Sequence, residues 1–173
     1  VVRICARQSA PVFARSVEAK GSRDMVEIAT PPRRKLVVLG NGMAAGRVLD
    51  ELFARKPDLY DVTIFGAEPR VNYDRIMLSP VLSGEKQYED IVIHNDAWYA
   101  EHHITLHKGC PVTAIDREAR TVTGAHGTVE AYDKLIIATG SGPLIIPVPG
   151  HDLPGVVTFR DLEQQTNDAI ALF

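Results

Sequence analysis

A glycine loop between an apolar run and a helix constrains this chain more than any other feature. Residues 35–39 read Lys-Leu-Val-Val-Leu and run directly into Gly40-Asn41-Gly42-Met43-Ala44-Ala45. Apolar residues at helical spacing follow over residues 43–55, and residues 62–65 form a second apolar run. A strand, a glycine turn, a helix and a strand within about 30 residues predict one βαβ unit with parallel strands.

The spacing of small residues in this loop is typical of a dinucleotide phosphate site. Gly40 permits a tight turn, and Gly42 lets the backbone approach a pyrophosphate with no Cβ in the way. Ala45 is small enough for the helix to pack closely on the strand. The N–H groups of Met43, Ala44 and Ala45 then face an anion at the positive end of the helix dipole. A strand–turn–helix without a ligand is the less favoured alternative in this context.

The rest of the chain predicts an α/β fold with a Rossmann-like parallel sheet and a small antiparallel meander. Residues 112–115, 121–123 and 128–131 are short alternating segments separated by turn residues, which predict the meander. Residues 135–138 are another continuous apolar run, as in a buried parallel strand. A proline-rich connection follows, and a further strand is expected at residues 156–159.

The first part of the chain differs in composition from the remainder. Residues 1–35 hold eight Lys or Arg against three Asp or Glu, and Pro31-Pro32 closes this stretch. We expect residues 1–34 to be a disordered or mis-assigned leader rather than a transit peptide, because no amphipathic face accompanies the arginines. Residues 35–173 are the expected domain.

Composition excludes several classes of function. A net charge of −3 argues against nucleic acid as the main partner, and no apolar stretch is long enough to span a membrane. The two cysteines, Cys5 and Cys110, form no disulfide framework and no thiolate metal site, which suits a soluble protein of the reducing cytoplasm. The histidines show no metal-ligand spacing, and we expect no metal site.

An acidic residue follows the second predicted strand. Glu68 stands where a Rossmann unit usually places the carboxylate that binds ribose hydroxyls. The alternative is a solvated acid in a surface turn, since Pro69 comes next.

The segment Asn72-Tyr73-Asp74-Arg75-Ile76-Met77-Leu78-Ser79 resembles a stretch of the two-domain pyridine-nucleotide flavoprotein reductases. The resemblance implies that Arg75 and Ser79 lie along FAD. Many members carry a lysine near the flavin after the serine, and Pro80 stands there in this chain. The residues alone also allow Arg75 to be a surface cation paired with Asp74.

A third motif, Ala138-Thr139-Gly140, is similar to the signature with which these reductases return to the FAD. The resemblance implies close passage of the Gly140 backbone past the cofactor. It also implies that the backbone of Val112 reads the adenine ring. Arg160 is left open between a phosphate contact and no cofactor role.

Within this superfamily the loop and the Leu-Ser-Pro sequence resemble the large subunit of assimilatory NAD(P)H nitrite reductase, over roughly residues 35–162. That resemblance implies hydride transfer from NAD(P)H to FAD, then electron passage to [4Fe–4S] and siroheme in downstream domains, with nitrite reduced to ammonium. A small subunit or another electron acceptor is a further implied partner. No second glycine fingerprint occurs between Ser141 and Phe173, so we expect a chain truncated before the NAD(P)H subdomain. The flavin carries the chemistry, and we assign no catalytic residue.

Two other functions remain open from the sequence. One is an FAD-dependent rubredoxin or ferredoxin reductase, against which Pro80 argues. The other is a truncated, non-catalytic FAD-binding module.

Overall fold

The computed structural model describes residues 3–5, 32–154, 156, 158, 160 and 162. Within them it contains eight strands, three α-helices and two 3₁₀ turns. The strands are β1 (Arg3–Cys5), β2 (Arg34–Leu39), β3 (Tyr60–Phe65), β4 (Thr105–His107), β5 (Val112–Asp116), β6 (Thr121–Gly124), β7 (Val129–Ala131) and β8 (Lys134–Ile137). The α-helices are α1 (Met43–Arg55), α2 (Leu78–Leu82) and α3 (Asp96–Glu101), and 3₁₀ turns span Arg75–Met77 and Tyr88–Ile91.

The main sheet has five strands in the order β1-β8-β2-β3-β4. Strands β8, β2, β3 and β4 are mutually parallel, with Leu39 opposite Phe65 on one side and Ile137 on the other. The predicted parallel βαβ unit and α/β class are therefore confirmed. Strand β1 pairs antiparallel with β8, with Arg3 opposite Ile137, an edge strand that the sequence did not predict within the leader.

A second sheet of three antiparallel strands, β5-β6-β7, confirms the predicted meander. The register of this sheet shifts between Val112 and Ala114, and Val112 lines the same cavity as the glycine loop at residues 40–42. Such a bulge bends the strand and redirects the side chains beside it.

The continuous apolar run of β2 is explained by burial on both of its faces. Leu36 and Val38 pack with Leu49 of α1 in one core, whereas Val37 and Leu39 pack in a second core with Val122 of the meander. Successive side chains of a strand point to opposite faces. Helix α1 and the small sheet thus cover the two sides of the parallel sheet.

The strand expected at residues 156–159 is absent at its described positions. Val156 and Thr158 lie outside any strand. The Val156 N–H donates to the Leu153 carbonyl at 3.1 Å, which closes a turn instead of joining a ladder. No helix of the described residues is long and apolar enough to cross a membrane.

Candidate functional site

A cleft of about 360 Å³ opens where β2, β3 and β8 end. The carboxyl ends of parallel strands are the usual ligand-binding edge of an α/β sheet. Ten of the twelve residues predicted to contact a cofactor line this cleft, namely Gly40, Gly42, Met43, Ala44, Glu68, Arg75, Val112, Ala138, Thr139 and Gly140. The structure thus brings together motifs that are about a hundred residues apart in the chain.

Gly40 follows β2 and contacts the ends of both neighbouring strands, β3 and β8. Its N–H donates to the Phe65 carbonyl at 2.8 Å, and its φ is 99°, in the region that favours glycine. A Cβ at this position would lie 2.7 Å from the Ala138 carbonyl carbon and 3.0 Å from the Thr139 Cα. The tight turn predicted for Gly40 is present, and the turn also passes directly against the end of the neighbouring strand.

Gly42 precedes α1 and leaves the start of that helix open. Its backbone is extended, and a Cβ there would meet no atom within 4 Å. Its carbonyl accepts from the Gly46 N–H at 3.0 Å, while no side chain caps the helix and no acidic residue occupies the first turn. The first amides of a helix have no partner within the helix, and the helix dipole favours an anion beside them. A pyrophosphate fits this end of the cleft.

Glu68 is held by two donors at the rim of the cleft. The Tyr73 hydroxyl donates to it at 2.6 Å, and the Arg75 guanidinium forms an ion pair with it. Arg75 also donates to the Arg160 carbonyl at 3.1 Å. Asp74, the partner considered for Arg75 from the sequence, instead accepts from the Ile76 N–H at 2.9 Å. Both Glu68 and Arg75 therefore face the cleft and are only partly exposed.

The environment of Tyr73 changes the acidity of its phenol. Burial is the main cause that raises the pKa of Tyr73, and the hydrogen bond to the Glu68 carboxylate raises it further. A phenol that retains its proton continues to donate to Glu68, which keeps the carboxylate oriented across the neutral pH range.

The two remaining predicted residues lie away from the cleft. Ala45, in the first turn of α1, is fully buried in the core that this helix forms with β2, in agreement with the close packing expected of it. Ser79 is exposed in α2 and does not line the cleft. Its carbonyl accepts from the Ser83 N–H at 3.0 Å, which closes the short helix. The placement of Ser79 gives no support to a cofactor contact.

The chain that follows β8 forms a further part of the cleft wall, beside the glycine loop. The Ala138 N–H donates to the Leu39 carbonyl at 2.8 Å, and Gly140 has a φ of 77°. A Cβ on Gly140 would lie 3.0 Å from the Arg160 Nη2. Arg160, left open from the sequence, lines the cleft beside Arg75. Two guanidinium groups therefore line the same cleft as the helix start, and although Arg75 is paired with Glu68, both keep N–H donors of the kind that bind phosphate.

Sequence reasoning missed several residues of this site. Arg70, Tyr73 and Pro111 line the cleft without belonging to the predicted set. Asn41 also lines it, and its side-chain oxygen accepts from the Tyr99 hydroxyl at 3.0 Å. The position of Asn41 between the two loop glycines was a usable signal. Within the described residues, no group of three or more His, Cys, Asp or Glu side chains is placed to hold a metal ion.

A family model for the pyridine nucleotide-disulphide oxidoreductases matches residues 34–170. The chain belongs to this family. Its members are NAD(P)H-dependent oxidoreductases that bind FAD. The resemblance drawn from the glycine loop, the Arg75 segment and the Thr139-Gly140 turn is confirmed.

The chain is 44% identical over 131 residues to a nitrite reductase [NAD(P)H] of Bacillus subtilis, which covers 76% of this chain and 16% of that protein. It is equally similar to the assimilatory nitrate reductase electron transfer subunit of the same organism, over 76% of this chain and 17% of the relative. The chain thus spans about a sixth of the length of these relatives. Among solved structures, NADH:rubredoxin oxidoreductase from Clostridium acetobutylicum superposes with a TM-score of 0.67 at 26% identity, covering 79% of this chain and 35% of that one.

Proposed function

We propose that the cleft binds the ADP portion of FAD, with its pyrophosphate at the start of α1. The observation that carries this proposal is a single cleft lined by the open helix start at Gly42 and by the guanidinium groups of Arg75 and Arg160. Free amides and guanidinium groups together recognise an anionic diphosphate. Glu68, held by Tyr73, offers a carboxylate for ribose hydroxyls.

The residues of this site bind and orient, and none acts as an acid or base. FAD, when bound, supplies the capacity to accept hydride from a nicotinamide and to release electrons singly. Gly42 leaves room for the phosphates, and the backbone at Thr139 and Gly140 lines the same cleft. Arg75 is restrained by Glu68 and by the Arg160 carbonyl, so its guanidinium needs little further ordering when a phosphate arrives.

For the intact protein we propose NAD(P)H-dependent reduction of nitrite to ammonium, with electrons passing from FAD to iron–sulfur and siroheme groups outside this chain. The 44% identity to the Bacillus subtilis nitrite reductase supports this branch. The second candidate is a rubredoxin or ferredoxin reductase, which the similarity to the clostridial rubredoxin reductase structure supports. Pro80, in place of the lysine many reductases carry there, favours the nitrite branch.

The cofactor proposal is tested by titrating the purified, flavin-free chain with FAD and following the quenching of flavin fluorescence. We expect saturation near one FAD per chain, and competition by ADP but not by FMN, because the cleft recognises the diphosphate and ribose. A folded chain that takes up no FAD would refute the proposal. Competition by FMN alone would place the flavin ring, rather than the diphosphate, in this cleft.

The acceptor proposal is tested on the native protein isolated from its own cells. NAD(P)H oxidation is measured with nitrite, with oxidised rubredoxin and with oxidised ferredoxin, and ammonium is quantified. Nitrite-dependent oxidation at three NAD(P)H per ammonium supports nitrite reductase, because nitrite takes up six electrons and each NAD(P)H supplies two. Turnover with rubredoxin or ferredoxin and none with nitrite would transfer the assignment to the second candidate.

A further inference from the structure

Three buried or partly buried polar side chains form a connected series behind the glycine loop. The Asp50 carboxylate lies 2.9 Å from the His94 Nε2. The His94 Nδ1 lies 3.3 Å from the Asn72 Nδ2, which in turn donates to the Gly42 carbonyl at 3.4 Å. Asn72 is 1% exposed and His94 is 6% exposed. The series therefore reaches from the side of α1 to the loop that forms one wall of the cleft.

With a neutral His94 ring, the donors and acceptors in this series allow one arrangement. The Asp50 carboxylate only accepts, so the His94 Nε2 carries the proton and the Nδ1 lone pair accepts from Asn72. The Asn72 amide then uses one hydrogen for His94 and the other for Gly42. A reversed amide would place its oxygen against two acceptors, the His94 Nδ1 and the Gly42 carbonyl. The histidine tautomer and the loop carbonyl thus select the same amide orientation.

The bond to the Gly42 carbonyl also fixes a donor on the cleft side. The Gly42 carbonyl and the Met43 N–H belong to one planar trans peptide unit, in which they point in opposite directions. Because Asn72 and the Gly46 N–H both hold the carbonyl from behind, the Met43 N–H is directed away from them, out of the helix start. Gly42 and Met43 both line the cleft.

Gly46 provides the space that this series requires. A Cβ at this position would lie 3.0 Å from the His94 Cε1 and closer still to the Asn72 Nδ2. Gly46 lies in the first turn of α1 and faces Asn72 and His94. It lets the Asn72 amide approach the helix closely enough to reach the Gly42 carbonyl.

We propose that Asn72 is a positioning residue for the dinucleotide loop, and that His94 sets its orientation through the Nε2-protonated tautomer held by Asp50. The proposal rests on the proposed binding of FAD in the cleft. It predicts that FAD affinity depends on a hydrogen-bond acceptor at the His94 Nδ1 position, and not only on the bulk of the side chain there.

Two matched variants separate these effects. In His94→Asn the amide oxygen can take the place of Nδ1 and accept from Asn72, but the side chain does not reach Asp50. In His94→Gln the longer side chain reaches Asp50 and leaves no acceptor at the Nδ1 position. Both variants lose the stacking of His94 on Trp98, whose ring centroids lie 3.9 Å apart, so both lose that contribution to stability.

We expect His94→Asn to bind FAD within about twofold of the unaltered chain. His94→Gln and Asn72→Ala should raise the Kd for FAD by several-fold to about tenfold, the range for one hydrogen bond. Thermal unfolding is recorded on the same samples. Equal FAD affinity of the two His94 variants, or losses that only follow their melting temperatures, would overturn the positioning role.

A second measurement does not depend on flavin. Long-range ¹H–¹⁵N NMR correlations of the His94 ring in the flavin-free chain should show a protonated Nε2 and a bare Nδ1. A proton on Nδ1 would overturn the proposal even if FAD binds. The expected tautomer in a chain that takes up no FAD would instead refute the proposed function, and with it the positioning role at that cofactor.

Discussion

Replacement of Gly40 by alanine tests the junction between the glycine loop and the end of β8. The native φ of 99° is unfavourable for any residue with a Cβ, at a cost of roughly 1–3 kcal/mol. The new Cβ would also lie 2.7 Å from the Ala138 carbonyl carbon, which is backbone and cannot rotate away. Forced overpacking of this kind costs about 1–3 kcal/mol. Together the two effects should lower the free energy of unfolding by roughly 2–6 kcal/mol.

Urea unfolding of the flavin-free chain measures this loss. With a slope of about 1–3 kcal/mol per molar urea, the midpoint should fall by about 1 M or more. The matched control is Gly42→Ala, whose Cβ would meet no atom within 4 Å and whose φ is −89°. Its midpoint should change much less than that of Gly40→Ala, because the restriction of the unfolded state by alanine offsets its poorer fit at the N-cap of α1.

Substitutions at Gly42 should affect cofactor binding rather than stability. A Cβ on Gly42 enters the cleft where we place the pyrophosphate, so Gly42→Ala should weaken FAD binding, and Gly42→Val should abolish it. An unchanged urea midpoint for Gly40→Ala would refute the argument from its backbone angle and from the contact with Ala138. Full FAD retention by Gly42→Val would show that the cofactor does not pass this loop.

Three further predictions concern neighbouring contacts. Arg75→Met should raise the Kd for FAD by about tenfold to a hundredfold, because a charge-assisted hydrogen bond contributes about 1.5–3 kcal/mol. Fluorescence titration measures this Kd, and an unchanged affinity would contradict the prediction. Burial and the hydrogen bond to Glu68 raise the pKa of Tyr73 in the folded state. The protonated Tyr73 phenol therefore contributes stability that is fully present below the unfolded pKa of about 10 and is lost as the pH rises through the folded pKa. Alkaline urea titrations should therefore show a loss of stability above about pH 10 that Tyr73→Phe reduces, and identical pH profiles for the two chains would contradict this. Gly46→Ala should destabilise the chain by about 1–3 kcal/mol despite the better helix propensity of alanine, because its Cβ collides with Asn72; a thermal melt at or above that of the unaltered chain would contradict the packing argument.

The sequence alone determined strands β2, β3 and β8 of the parallel sheet, helix α1, and the order in which they occur. The apolar run of β2, the glycines at 40 and 42 and the helical spacing of α1 each have a local cause, since backbone freedom and side-chain periodicity act over a few residues. The meander was equally readable from its alternating segments and turns. The family resemblance could also be recognised there, because its motifs are short and contiguous.

The partners of the site residues were decided only by the tertiary structure. From the sequence, Glu68 and Arg75 were each plausible ligand contacts, but only the structure shows that they pair with each other, seven residues apart in the segment after β3. The expected strand at residues 156–159 failed at its described positions, since a strand needs a neighbour to pair with and Val156 is held in a turn. Ser79 belongs to the segment that resembles the reductase motif, but the fold leaves its side chain exposed in α2.

The hydrogen bonds that hold the glycine loop show most clearly which features the sequence determines and which the tertiary structure decides. From the sequence, the only role considered for His94 was that of a metal ligand. Asn72 was noted only as the residue that precedes Tyr73-Asp74-Arg75. The fold places them together against α1, where Gly46 leaves room for the Asn72 amide. Hydrogen bonds across 22 and 30 residues depend on how separate elements pack. Local sequence patterns specify the loop itself, whereas the contacts that hold it in place follow from the packing of distant segments.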